Sequence, residues 1–199
     1  ITPAGEIGRS IFVYNPATKA WNYFDKEGNR VTGRQYIDGH LYYFKEDGSQ
    51  AKGEIIEENG IKYYYEPESG ILASGRYLQV GDDQWMYFKQ DGSLAIGQVR
   101  ADHGYLKYFD KNGIQVKGKT VVEDGKTYYY DAHSGALVTS SFAEIAPNQW
   151  SYFNTDGQAL KGKWTINGKE YYFDENGIQY KGKAIKVGSR YKYYDENDG

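Results

Sequence analysis

Short aromatic runs alternate with polar, glycine-closed turns along almost the whole chain. The first run is Trp21-Asn22-Tyr23-Phe24, followed by Gly28 and Gly33; the second is Leu41-Tyr42-Tyr43-Phe44, followed by Gly48 and Gly53. The aromatic pair returns as Tyr64-Tyr65, Tyr87-Phe88, Tyr108-Phe109, Tyr129-Tyr130, Tyr152-Phe153, Tyr172-Phe173 and Tyr193-Tyr194, nine copies spaced 20 to 23 residues apart. Self-similarity at such a period marks a repeat architecture. No stretch sustains helical periodicity, and aromatic runs of this length favour strand. Turns such as Asp25-Lys26-Glu27-Gly28 and Asp110-Lys111-Asn112-Gly113 place Asp first and Gly fourth, as a type I turn prefers. The pattern predicts hairpins in which the aromatic strand runs through this turn into a second short strand, such as Ile114-Gln115-Val116-Lys117, that ends at Gly118. A lone two-stranded hairpin is marginal in water, so the copies must stack on one another.

A longer period lies above the first. Trp heads the aromatic run in copies one, four and seven, at Trp21, Trp85 and Trp150. Copies three, six and nine have Tyr65, Tyr130 and Tyr194 where the others have Phe, and carry one extra residue before the turn glycine, as in Glu66-Pro67-Glu68-Ser69-Gly70. Three hairpins thus form a super-repeat of about 65 residues. The expected fold is all-β: a β-solenoid of about nine stacked hairpins, three per superhelical turn. Residues 1–19 depart from the pattern and read as a junction or degenerate N-terminal cap, with Ile11-Phe12-Val13-Tyr14 as a candidate strand. The array fills 20–199, in super-repeats of about 20–83, 84–148 and 149–199, the last truncated. With no initiator Met and no signal peptide, the chain reads as an excised fragment.

Composition narrows the function. Hydrophobic residues make up 39%, much of it from the 22 Tyr, so aliphatic core is scarce and a one-dimensional array is easier to fill than a single central core. The net charge of -3 comes from interspersed signs without a basic stripe, which argues against a nucleic-acid partner. Apolar runs stop at about five residues, too short to span a bilayer. Cys is absent, which removes disulfide and thiolate chemistry. His40, His103 and His133 lack metal-ligand spacing, and acids such as Asp25, Glu27, Asp47, Asp91 and Asp174 fall in turns that account for them. No cofactor, metal or catalytic residue is expected, and the chain is expected to be a monomer.

Segments such as Gly168-Lys169-Glu170-Tyr171-Tyr172-Phe173-Asp174-Glu175-Asn176-Gly177 resemble the glucan-binding repeats at the C-terminus of streptococcal glucosyltransferases (glucansucrases). The resemblance covers nearly the whole chain, and the wider superfamily includes choline-binding repeats of cell-wall proteins. It implies a non-catalytic hairpin solenoid that binds α-glucan such as dextran, secreted and extracellular or held at the cell wall, within a glucosyltransferase that builds glucan from sucrose. Two alternatives stay open: a choline- or teichoic-acid-binding anchor, and a structural or adhesion repeat without sugar sites. A choline cage needs aromatic rings around a quaternary ammonium. Where choline-binding repeats carry Trp after the terminal glycine, this chain has Gln35, Val99 and Trp164, so one position of three suits a cage.

A sugar site needs a ring for the C–H face and donors and acceptors for the hydroxyl rim. Gln-x-Lys before a terminal Gly occurs in copies two, five and eight: Gln50 and Lys52, Gln115 and Lys117, Gln179 and Lys181. Each pair is expected to face Tyr43, Tyr108 or Tyr172 of its own hairpin and Tyr64, Tyr129 or Tyr193 of the next. Trp21, Trp85 and Trp150 are further candidates for a sugar platform. A Tyr present in all nine copies reads first as packing, while the three Trp read equally as core wedge or sugar platform and Gln-x-Lys as a solvated edge or a sugar contact.

Overall fold

The computed structural model describes residues 8–199, so the reading of the first seven residues lies outside the described part. Eighteen strands pair into nine two-stranded antiparallel sheets among the described residues. Two compact units divide the chain, Ile1–Ala95 and Ile96–Gly199. The first holds hairpins 1 to 4: β1(Ile11–Asn15) with β2(Ala20–Phe24), β3(Gly33–Ile37) with β4(His40–Phe44), β5(Glu54–Glu58) with β6(Ile61–Tyr65), and β7(Arg76–Gly81) with β8(Gln84–Phe88). The second holds hairpins 5 to 9: β9(Gly97–Arg100) with β10(Leu106–Phe109), β11(Lys119–Glu123) with β12(Lys126–Tyr130), β13(Ser141–Ala146) with β14(Gln149–Phe153), β15(Gly162–Ile166) with β16(Lys169–Phe173), and β17(Lys183–Val187) with β18(Arg190–Tyr194).

The pairing corrects the expected hairpin. The aromatic strand pairs with the strand before it, through tips such as Asp38-Gly39, Asn59-Gly60, Asp124-Gly125 and Asn167-Gly168, all with positive φ. Two left-handed residues give the type I′ turn, whose twist matches that of a two-stranded ribbon. The D-x-x-G turn is a separate β-turn, closed for example by Gly113 N donating to Asp110 O at 2.8 Å. After it the chain makes a single bridge, such as Phe44 with Gln50, instead of a second strand. The segment Ile11–Asn15 is the first strand of hairpin 1, so the boundary drawn at residue 20 falls inside a hairpin.

Within each unit, the short segment after such a turn stitches hairpins together. Gln50 N donates to Trp21 O of hairpin 1 at 2.7 Å, and the next amide, Ala51 N, to Tyr43 O of hairpin 2 at 2.8 Å. Leu72 and Ala73 repeat this with Leu41 and Tyr64, and Leu94 and Ala95 with Lys62 and Tyr87. In the second unit Gln179 N reaches Trp150 O and Tyr180 N reaches Tyr172 O. Successive amides of an extended segment point opposite ways, so one segment can satisfy two hairpins at once.

The core of each unit is built from single rings. Phe44, Tyr65 and Phe88 in the first unit, and Phe109, Tyr130, Phe153 and Phe173 in the second, have no exposed surface. Each is the second member of its aromatic pair. The first member packs onto the inner ring of the next hairpin: Tyr43 on Tyr65 (5.9 Å between centroids), Tyr64 on Phe88 (5.7 Å), Tyr108 on Tyr130 (5.5 Å), Tyr129 on Phe153 (6.0 Å) and Tyr172 on Tyr194 (6.0 Å). These separations suit tilted and offset aromatic contacts. Within each unit, these hairpins therefore complete the core of the next.

Candidate functional site

The extra residue in copies three and nine sets up the site. There the turn glycine bonds one residue further back, Gly70 N to Glu66 O and Gly199 N to Asp195 O, so an α-turn replaces the β-turn. Its widened loop turns carbonyls toward the preceding Gln-x-Lys pair. Gln50 Nε2 donates to Ser69 O at 3.1 Å and Lys52 Nζ to Glu68 O at 2.6 Å. In the second unit Gln179 Nε2 donates to Asp198 O at 2.8 Å and Lys181 Nζ to Asn197 O at 2.9 Å. Only Gly fits at 70 and 199, because φ is +71° and +85° and a Cβ would collide with the Gln amide.

This arrangement leaves a shallow groove beside each pair. The first is lined by Phe12, Trp21, Tyr42, Gln50, Lys52 and Ser69 and holds about 270 Å³. The other, of about 260 Å³, is lined by Phe142, Trp150, Tyr171, Gln179, Lys181, Asn197 and Asp198. The six positions of the first lining all recur in the second, which adds Asn197. Lys52 Nζ lies 5.8 Å from the Trp21 ring centroid and Lys181 Nζ 5.3 Å from that of Trp150, within cation–π range. An ammonium has three donors, and the loop carbonyl takes one. Burial, and after it Asp38, pushes the Tyr42 hydroxyl above its ordinary pKa, so this ring is neutral at physiological pH.

The structure thus brings Trp21, Gln50 and Lys52 together, and Trp150, Gln179 and Lys181, but it changes the tyrosines. Tyr64 and Tyr129 are buried, at 8% and 7% exposure, and Tyr43, Tyr108 and Tyr172 pack on the next hairpin. Neither set lines either described groove. The ring that does is the preceding residue, Tyr42 or Tyr171, because alternation along the strand turns the invariant Tyr the other way. Tyr193 is 61% exposed on hairpin 9 and is not part of the lining of either described groove. Phe12 and Phe142 are groove residues that sequence reasoning missed. Their signal is the position in the strand before the tip, where Phe12 pairs with Tyr23 and Phe142 with Tyr152.

The middle pair differs. Gln115 packs where a Cβ on Gly135 would lie, as its counterparts do at Gly70 and Gly199, but its buried Nε2 has no hydrogen-bond partner among the described residues. Trp85 is half-buried and sits across from Gln79 in hairpin 4.

The carboxylates are engaged in the turns. Asp25 Oδ1 accepts from Asn29 N at 2.8 Å and Glu27 N at 3.0 Å, and Asp47 Oδ1 accepts from Ser49 N at 2.8 Å and Ser49 Oγ at 2.6 Å. These bonds hold both carboxyls below their usual pKa, with Asn29 and Ser49 the largest causes. A carboxylate fixed this way serves as a turn lock and is poorly suited to proton transfer. No group of three or more acidic or His residues that could hold a metal occurs among the described residues. No helix among them is long and apolar enough to cross a membrane.

Comparison with known proteins agrees with this repeat anatomy. The choline-binding repeat family matches residues 16–47, 31–77, 102–142 and 162–199, and a putative cell wall binding repeat matches residues 141–159. The chain belongs to the choline-binding repeat family. Glucosyltransferase-S of Streptococcus mutans is 37% identical over 182 residues, covering 90% of this chain and 12% of that protein. Glucosyltransferase-I of Streptococcus downei is 38% identical over 183 residues, covering 90% of this chain and 11% of that protein. The chain therefore spans about an eighth or less of the length of these relatives. Among solved structures, the choline-binding domain of CbpL from Streptococcus pneumoniae shares the fold, with a TM-score of 0.71 at 24% identity, over 94% of this chain and 93% of that one. Choline binding protein F from the same species has a TM-score of 0.68 at 28% identity, over 87% of this chain and 59% of that one. Membership makes this choline-binding repeat chain a module of the carbohydrate- and cell-wall-binding class.

Proposed function

We propose that this choline-binding repeat module holds α-glucan of the dextran type outside the cell, as the retaining part of a glucosyltransferase that builds the polymer. The observation that carries the reading is the recurrence of one groove in two places. Trp21 and Tyr42 with Gln50 and Lys52, and Trp150 and Tyr171 with Gln179 and Lys181, each set ring faces beside an amide and an ammonium. Rings suit the C–H faces of a sugar, and the polar tips suit its hydroxyls. The likeness to the two streptococcal glucosyltransferases adds support. The solenoid with three hairpins per turn belongs to the same reading, since it would return equivalent grooves to one side of an extended polymer.

Each groove is shallow, so a short sugar binds weakly. One aromatic contact contributes about 1 kcal/mol, and polar contacts largely replace water. A long chain that spans both grooves gains avidity of roughly 100-fold or more through effective concentration. Affinity electrophoresis in gels containing dextran tests this. The intact chain should be retarded by dextran far more than by an equal mass of short isomaltooligosaccharide, and Trp21→Ala with Trp150→Ala should abolish the difference. Equal retardation of the double variant and the parent would remove the proposal.

Family membership and the exposed Trp164, which follows Gly162-Lys163, favour a second reading as a choline-binding anchor. Against it, Trp164 Nε1 donates to Lys161 O at 2.8 Å, and Gln35 and Val99 occupy the matching positions elsewhere. Retention on a choline resin with release by free choline would favour this second reading.

A further inference from the structure

We propose that the sugar-binding surface is bivalent: the Gln-x-Lys pairs of the first and last super-repeats hold glucan, and the middle pair, Gln115 and Lys117, is silent. The inference rests on the glucan reading above and goes beyond it by assigning which copies work. Three observations within hairpin 5 and its turn carry it.

The first is the loss of the groove ring. Tyr42 and Tyr171 occupy the position before the invariant Tyr, and the matching residue of the middle super-repeat is Lys107. A Lys there offers no flat face for a sugar ring. The second is what holds that Lys. Lys107 is only 8% exposed, and its Nζ lies 2.9 Å from Asp102. Asp102 belongs to the 3₁₀ turn Asp102–Gly104, which stands where hairpins 2 and 8 have the tight tips Asp38-Gly39 and Asn167-Gly168. The ammonium is therefore occupied within its own hairpin and turned away from ligand duty. The third is the open clamp. Gln50 and Gln179 each donate to a loop carbonyl that fixes the groove wall, while Gln115 Nε2 is buried without a partner. A wall whose anchoring bond is missing is less preorganised, and each sugar contact then has to order it.

These changes fall on one repeat and are absent from the other two. A neutral drift of surface residues would alter one contact at a time, whereas here the ring, the tip and the clamp have changed together.

The test compares paired substitutions in the full chain. Gln50→Ala with Lys52→Ala, and separately Gln179→Ala with Lys181→Ala, should each weaken retardation by dextran about tenfold or more, because each removes one of two cooperating sites. Gln115→Ala with Lys117→Ala should change it less than about twofold. Trp21→Ala and Trp150→Ala, each made singly, should reproduce the losses without disturbing the loop clamp, and circular dichroism should show the parent strand content in every variant. A weakening at Gln115 and Lys117 as large as at the other two pairs overturns the inference and leaves the glucan reading intact. A parent chain that dextran does not retard at all removes both.

Discussion

Hairpins 2 and 8 close with Asp38-Gly39 and Asn167-Gly168 and pair five residues on each side, whereas hairpin 5 pairs four and opens into the stretch Ala101 to Tyr105. Yet the inner rings of all three, Phe44, Phe109 and Phe173, have no exposed surface. The difference separates two kinds of constraint. The inner ring is the buried centre of its own hairpin, so every copy must keep it. The outer surface carries no such packing role, so one copy can change it without unfolding the array. Some buried positions differ as well: Asn22 and Ser151 each donate to the carbonyl of a turn glycine, Gly48 or Gly177, while the matching residue of the middle super-repeat is Met86, which packs against the cluster of Tyr64, Ala73, Phe88 and Leu94.

The largest expected effects come from the part that should not differ. Phe44→Ala, Phe109→Ala and Phe173→Ala should each destabilise by about 3–5 kcal/mol, since each empties a fully buried ring site. Urea unfolding of the three variants measures this. Equal costs would show that hairpin 5 keeps full membership of the core despite its altered tip. A cost at Phe109 less than half that of the others would break the comparison, because the divergence of hairpin 5 would then extend to its packing.

A smaller effect sharpens the comparison through the tyrosines of the next hairpins along the chain. Burial pushes Tyr65 and Tyr130 up to about 12. Hairpin 2 sets Arg34 beside Tyr65, which partly offsets the burial, while hairpin 5 offers Gln98, whose Nε2 lies 3.0 Å from the Tyr130 hydroxyl. An unfolded Tyr ionises near 10, so the fold favours the neutral form. That stability is complete below about pH 10 and is lost as pH rises from there through 12, on the order of 2 kcal/mol per ring. Ultraviolet titration should find two tyrosines ionising late, together with the alkaline unfolding. Arg34→Gln should move Tyr65 higher still and leave Tyr130 unchanged. A shift of both, or of neither, would mean that the two hairpins do not set their neighbours' tyrosines separately.

Much of this is legible in the amino-acid order. The nine copies, the long period, the Trp positions and the pairing of Gln with Lys are all recurrences that need no coordinates. The hairpin phase is where sequence reasoning fails, although Asp38-Gly39, Asn59-Gly60, Asp124-Gly125 and Asn167-Gly168 are strong hairpin signals. The regular D-x-x-G turns draw the pairing onto themselves, since both turn types are rich in Asp and Gly. From the wrong phase comes the wrong wall: Tyr43 and Tyr64 are expected beside Gln50, when the strand turns them into the stack and presents Tyr42 instead. The extra residue in copies three, six and nine is plain in the sequence, but its use is not. That an α-turn frees two carbonyls for Gln and Lys depends on backbone geometry, which a one-residue insertion does not reveal.

The smallest effect bears on that clamp directly. Gln50→Ala and Gln179→Ala each remove an amide that donates to a loop carbonyl, so each should destabilise by about 1 kcal/mol, the usual net value of one such bond. Gln115→Ala removes a buried donor with no partner, so the desolvation penalty of that donor is relieved and offsets the packing lost with the side chain. Its cost should be well below that of the other two, measured by thermal melts of the three variants under one condition. If Gln115→Ala costs as much as its counterparts, the middle loop closes on its glutamine as the others do, and the contrast between hairpin 5 and hairpins 2 and 8 shrinks to the tip and to Lys107.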